Sequence, residues 1–222
     1  GARRVYLLAA YMALLGFHVI YDLNGLSAWV EAFSFQVVQF LVFLGGAVWF
    51  SIRHKRPMSR DEAIVHLPLL LIFYALQYPL LEANLPAWAP WISLVSAAML
   101  LGAYLIAKSM LAVPPAAGSL LVSAYAALVL FHAGYMELIP DELAPWLVLL
   151  LLPALAVYLR FAGNNNGAGA VVQWPFRLLV GIVFAINYLR VVVDADSGSH
   201  ADHQILALFY AVELYAAYYF AK

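Results

Sequence analysis

The sequence predicts an all-α integral membrane fold: eight transmembrane helices in two tandem four-helix repeats of parallel topology, with both termini cytoplasmic. Three observations carry that expectation. The 222-residue chain is 66% hydrophobic and only 10% charged, with a mean hydropathy of +0.90, whereas soluble domains carry about 25% charged residues. Its apolar runs continue to the end of the chain, each near the roughly 20 residues that cross a bilayer core. One twelve-residue pattern is also written twice.

Taken in order, the runs between polar breaks fall at roughly 5–23, 30–52, 64–82, 88–108, 116–138, 144–162, 171–193 and 203–222. The breaks carry turn chemistry: Asn24-Gly25, Arg56-Pro57, Asn84-Leu85-Pro86, Pro114-Pro115, Ile139-Pro140-Asp141, Asn164 to Gly167 and Ser197-Gly198-Ser199. Lipid cannot satisfy backbone polar groups, so a spanning segment is a helix or part of a closed barrel. Barrel strands alternate polar and apolar residues, and these runs are apolar throughout, which selects helices.

Charge orients the bundle. Arg3, Arg4, Arg53, Lys55, Arg56, Arg60, Lys108, Arg160, Arg177 and Lys222 all fall on one side if there are eight spans. Asp22, Glu31, Glu82, Glu137, Asp141, Glu142, Asp194, Asp196 and Asp202 fall on the other, and only Arg190 crosses the pattern. The positive-inside rule then places both termini in the cytoplasm. Trp29, Trp88, Trp91 and Trp146 sit near expected outer ends, where an aromatic belt belongs. The expected location is a bacterial plasma (inner) membrane, with the lipid bilayer as the first partner. A net charge of −1 argues against nucleic acid, since phosphate binding needs a basic surface.

The doubled pattern is AYMALLGFHVIY at 10–21 and AYAALVLFHAGY at 124–135, with seven identities at an offset of 114. At the same offset LLGAYLIAK (100–108) matches LYAAYYFAK (214–222) at five positions. Tyr74-Ala-Leu-Gln-Tyr78 resembles Phe184-Ala-Ile-Asn-Tyr188, and Leu26-Ser-Ala-Trp29 resembles Leu143-Ala-Pro-Trp146. These matches pair span 1 with 5, 2 with 6, 3 with 7 and 4 with 8, which predicts one repeat over 1–112 and another over 113–222. A four-span unit starts and ends on one side, so its copy has parallel topology, and binding sites in such proteins often lie between the halves.

The same pattern nominates a site. His18 and His132 each lie about one turn before an outer helix end, with Tyr21 and Tyr135 three residues on. Polar groups at that depth face the bundle interior. Two imidazoles there can ligate a divalent metal or a haem iron, form a proton-responsive gate, or simply tie helices by hydrogen bonds to tyrosine or backbone. A second cluster, Asp194, Asp196, His200, Asp202 and His203, puts carboxylates and histidines within ten residues at the outer side of spans 7 and 8. It suits a divalent cation, although a solvated acidic loop has the same composition. Glu213 stands near the middle of span 8, where a carboxylate is costly and usually functional; Arg190, His132 or Tyr188 would be its partner. Gln36, Gln39, Gln77 and Asn187 read as helix-packing hydrogen bonds.

Absences narrow the chemistry further. The chain has no cysteine, which removes disulfides, thiolate metal sites and iron–sulfur clusters. It has no Gly-rich phosphate loop, no Gly-x-Ser-x-Gly and no His-Glu-x-x-His. No lysine sits centrally in a span and no span carries spaced arginines, so a retinal Schiff base and voltage sensing are disfavoured. Three classes remain. The first is a ligand-binding module, either a sensor or a small transporter of a small molecule or ion, with its site between the repeats near His18 and His132. The second is a membrane metalloenzyme or a haem or metal redox subunit. The third is a structural or assembly subunit with a membrane-protein partner, or with a cytoplasmic domain beyond Lys222.

Overall fold

Runs of this composition fold as helices because each residue's N–H can be satisfied only within its own segment once water is gone. The computed structural model describes residues 5–6, 8–16, 29–111, 116–154, 174–196 and 201–221. No strand occurs among them. Five helices are long and apolar enough to cross a membrane, at Trp29–Arg53, Arg60–Asn84, Ala89–Met110, Ala117–Met136 and Trp174–Val193. They coincide with the expected second, third, fourth, fifth and seventh spans. Shorter apolar helices, Ala144–Ala154 and Gln204–Ala216, lie within the expected sixth and eighth. This is the build of an integral membrane protein.

Burial supports that reading. Large apolar side chains such as Val38, Val42, Trp49, Leu189 and Leu208 point outward, while the buried set is rich in alanine, serine, tyrosine and amides. Between helices in lipid there is no hydrophobic drive, so small residues and polar ties do the packing.

The chain forms two compact units, Gly1–Ala133 and Gly134–Lys222. In the first, α1 (residues 5–16, residue 7 excepted) is followed by α2 (Trp29–Arg53), α3 (Arg60–Asn84), α4 (Ala89–Met110) and α5 (Ala116–Val129). α5 runs on as a π-helical stretch, Leu130–Met136. α1 meets α2 where Tyr6 donates to the Phe43 carbonyl at 2.7 Å. A Cβ at Gly46 would come within 3.2 Å of the Tyr6 hydroxyl, so glycine permits that approach. α2 ends as its composition dictates. Lys55 takes a left-handed φ of 48°, Arg56 N–H returns to the Ser51 carbonyl and Lys55 N–H to that of Ile52, and Pro57 prevents continuation.

α3 begins four residues before the apolar run expected at 64, because Ser59 caps it. Its hydroxyl accepts from Glu62 N–H, and the Glu62 carboxylate accepts from Ser59 N–H at 2.9 Å. This capping box brings the charged Arg60, Asp61 and Glu62 into the first turn. Pro68 and Pro79 lie inside the helix. Pro68 has no N–H for the Ile64 carbonyl, and in that same turn the Tyr11 hydroxyl donates to the Val65 carbonyl at 2.7 Å. α2 and α3 are set in register by the stacked rings of Phe40 and Phe73, 4.9 Å apart. α4 and α5 both pack on α3 and on each other. Small residues on both are buried, Ser93, Ser96 and Ala97 on α4 and Ser119, Ser123 and Ala127 on α5.

The second unit contains α6 (Ala144–Leu149, with 151–154 also helical), α7 (Trp174–Asp196) and α8 (Ala201–Ala221). α6 packs on both α7 and α8, and those two pack on each other. α4 and α6 open alike, with Ala-Pro-Trp at the first turn and proline where its missing N–H costs nothing. The tryptophans of these turns, Trp91 and Trp146, are exposed, as an interfacial belt requires.

Candidate functional site

Two adjoining features of the first unit stand out, a polar tier and an apolar chamber. The tier is built on α3, α4 and α5. Tyr74 is buried on α3, and its hydroxyl shares a hydrogen bond with His132 Nδ1 at 2.9 Å. Tyr78, one turn on, meets the His132 ring edge-to-face at 4.5 Å. Tyr125, one turn and a half before the π-helical stretch ends the helix, is fully buried, and its hydroxyl lies 3.0 Å from that of Ser96. Ser96 in turn donates to the Ser93 carbonyl at 2.7 Å, so Tyr125 is left to donate to Ser96. Tyr74 packs edge-on against Tyr125 with ring centroids 6.3 Å apart.

The buried glutamines belong to the same level. The Phe40–Phe73 stack aligns antiparallel α2 and α3 so that Gln36 is level with Gln77, and Gln39 with Tyr74. Gln36, Gln39 and Gln77 are all buried. Among the described residues the side-chain oxygens of all three, and the nitrogen of Gln39 as well, have no hydrogen-bond partner. Glutamines read from the sequence as helix-packing bonds thus include one, Gln39, whose amide finds no partner among those residues.

Gln39 lines the chamber, a cavity of about 130 Å³ among α1 to α5 that is open on one part of its boundary. The space exists because small residues face it from four helices: Ala10, Ala47, Ala103, Ala107 and Gly118. Phe40, Phe43 and Phe73 supply aromatic walls, and among the described residues no Asp, Glu, Lys or Arg lines it. The polar members of that described lining are Gln39, Ser51, His66 and Tyr104. Three of these are engaged. Ser51 donates to the Ala47 carbonyl at 2.9 Å. His66 Nδ1 donates to the Glu62 carbonyl at 2.6 Å, which fixes the proton on that nitrogen. Tyr104 is hydrogen-bonded to Ser119.

In the second unit polar groups tie helices. Asn187 is fully buried; its Nδ2 donates to the Tyr135 hydroxyl at 2.6 Å and to the Val183 carbonyl at 2.8 Å, while its Oδ1 has no partner. Tyr210, also fully buried, donates to the Pro145 carbonyl at 2.7 Å and packs against Phe184 at 5.0 Å. Arg190 pairs with Asp141 at 2.9 Å on the surface. That guanidinium holds the Asp141 carboxyl below the usual carboxylate range, first by the hydrogen bond and then by charge.

The residues nominated by sequence are distributed accordingly. His132 belongs to the tier, Tyr135 to the Asn187 tie, and Arg190 to the pair with Asp141. Glu213 lies in α8 with its Oε2 buried and without a partner. His18, Tyr21 and His200 lie outside the described residues, as do the side chains of Asp194, Asp196, Asp202 and His203. α7 carries Asp194 and Asp196 in its last turn, and α8 carries Asp202 and His203 in its first. Among the described residues no group of three His, Asp or Glu side chains is placed to hold a metal ion. Gln39 and the chamber were not nominated. The signal available was Gln36 and Gln39, two amides at helical spacing in an otherwise apolar run.

Compared with protein-family models, with curated proteins and with solved structures, the chain has no match.

Proposed function

We propose that this protein is a ligand-binding module of the membrane, a sensor or a small transporter, and that the ligand occupies the chamber of the first unit. One observation carries the reading: an apolar space of about 130 Å³ is lined by small and aromatic side chains of α1 to α5, with Gln39, Ser51, His66 and Tyr104 as the polar residues of its described lining. The chamber is bounded by the end of α2, the start of α3, the end of α4 and the start of α5, the ends that the charge pattern assigns to the cytoplasm. Tyr74, which follows the lining residue Phe73 on α3, shares its hydrogen bond with His132, the described member of the doubled histidine pattern.

The test uses fluorobenzene as a minimal apolar probe of detergent-purified protein, followed by fluorine NMR. Saturable binding is expected in the wild type. Ala103→Leu and Ala107→Leu, each filling the chamber, are expected to abolish it while leaving the melting temperature unchanged or higher. Binding that survives both substitutions, or no saturable binding in the wild type, would overturn the ligand chamber.

A further inference from the structure

We infer that the chamber and the basic turn beside it form one site for an anionic phospholipid of the membrane, with an apolar chain in the chamber and the anionic head on the cations of the α2–α3 turn; this rests on the ligand-binding reading above.

The turn supplies the charge. Arg53 ends α2, Arg60 begins α3, and Lys55 and Arg56 stand between them. All four are exposed, and none has a carboxylate partner among the described residues. The backbone that carries them is closed by hydrogen bonds: Arg56 N–H returns to the Ser51 carbonyl at 3.1 Å and Lys55 N–H to that of Ile52 at 3.2 Å. His54 is not counted with them, since its ring stacks on Phe50 and its Nδ1 donates to the Phe50 carbonyl at 3.1 Å. Two carboxylates are near. Glu62 accepts from Ser59 N–H in the capping box, and Asp61 is exposed. Four cations against these two leave the segment 53–62 with a net charge of +2.

The chamber supplies the place for a chain. Ser51, two residues before Arg53, and Met58, two before Arg60, both line it. Met58 is also part-exposed, and the chamber is open on one part of its boundary. At about 130 Å³ it holds roughly one benzene-sized group, which is a few methylenes of a single chain. Among the described residues no Asp, Glu, Lys or Arg lines it, so a charged head stays outside. In a bilayer a chain gains little by leaving lipid for an apolar wall, so the choice of one lipid over another falls to the head. Each cation beside a spanning helix attracts anionic heads by about fivefold in affinity. The positive-inside rule accounts for cations at this end of the helices. It does not account for an apolar space lined from both sides of the turn that carries them.

The experiment displaces fluorobenzene from the full chain in a neutral detergent, read by fluorine NMR. The competitors are dihexanoyl-phosphatidylglycerol and dihexanoyl-phosphatidylcholine, which share their chains and differ in head charge. In the wild type the anionic lipid is expected to displace the probe at about 25-fold lower concentration, roughly fivefold for each net positive charge, and added salt is expected to shrink that ratio. Two paired variants, Lys55→Asn with Arg56→Gln and Arg53→Gln with Arg60→Gln, each bring the segment to zero net charge while leaving two cations to orient the helices. Asparagine suits the left-handed backbone at position 55. In both variants the ratio is expected to fall to about one while fluorobenzene still binds, which also shows that they fold. Equal displacement by the two lipids in the wild type, or a ratio that persists in both variants, would overturn the lipid site and leave the chamber intact. Displacement by glycerol phosphate, a head without a chain, would overturn it too. Failure of fluorobenzene itself in the wild type would strike the chamber reading, and this inference with it.

Discussion

Gln39 and Asn187 are the same chemical group in the same kind of place, a carboxamide buried in an apolar helix, and the two units treat them oppositely. Asn187 spends its nitrogen twice, on Tyr135 and on the Val183 carbonyl. Gln39 has no partner for either end of its amide among the described residues, and it is one of the residues that line the chamber. The difference teaches that burial of a polar residue in a membrane helix does not define its role. The inventory of partners does. An amide that closes a helix–helix tie is structural. An amide whose two ends find no partner among the described residues leaves a cost in the fold.

Matched substitutions break that comparison if it is wrong. Asn187→Leu removes two donated bonds, one to the Tyr135 hydroxyl and one to the Val183 carbonyl. It is expected to cost about 1–2 kcal/mol, within the range for interhelical ties in membranes. At roughly 2–4 °C per kcal/mol for a chain of this length, the melting temperature falls by about 2–8 °C. Gln39→Leu is expected to move the other way, up by about 2–4 °C, as an unsatisfied amide is replaced by an apolar side chain. Thermal unfolding of both variants in one detergent checks the pair. A destabilised Gln39→Leu would mean that the amide already has a structural partner. The cost of Gln39 is the kind of stability that proteins give up at functional sites.

Much of the architecture was legible from residues alone, for a simple reason. In lipid the backbone must satisfy itself, so long apolar runs have one solution, and Trp29–Arg53, Ala89–Met110 and Trp174–Val193 match their runs closely. The start of α3 was less legible, because Ser59 and Glu62 extend the helix into charged residues that a hydropathy boundary excludes. The π-helical winding of Leu130–Met136 could not be read, since nothing in Leu-Phe-His-Ala-Gly-Tyr-Met distinguishes it from ordinary helix. The chamber was invisible for a different reason. Ala10, Ala47, Ala103, Ala107 and Gly118 look like ordinary membrane-helix composition until four helices bring them around one space. The same holds for Gln39, whose type and depth are visible in sequence while its lack of a partner is a property of the packed unit. His132 shows the converse. Its bond to Tyr74 is one of the arrangements its flanking residues allowed, and only packing selects among them.

A hydroxyl in the tier sharpens the contrast at lower amplitude. Tyr125 is fully buried and donates to Ser96, so it behaves like Asn187 rather than like Gln39. Tyr125→Phe is expected to lower stability by about 0.5–1 kcal/mol, a shift of roughly 1–4 °C. A rise instead, of the kind expected for Gln39→Leu, would show that committed and open groups cannot be told apart by their partners.

The smallest effect belongs to Asp141 and Arg190, a tie that faces outward. Arg190 depresses the Asp141 carboxyl below its ordinary range, and the sign follows from that direction. A carboxyl whose pKa is lower in the folded state contributes stability above its unfolded pKa. It loses that contribution as pH falls through the folded value. Wild type and Asp141→Asn should therefore differ most at neutral pH and converge below about pH 4, where an ordinary aspartate takes up its proton. Because both side chains are substantially exposed, screening by water and salt keeps the difference small, and added salt should shrink it further. Melting curves of the two proteins between neutral and acidic pH, at low and high salt, make the check. A gap that widens on acidification would mean that Asp141 is held protonated in the fold. Arg190 would then answer to another group, and the buried carboxylate of Glu213 would be the first to examine.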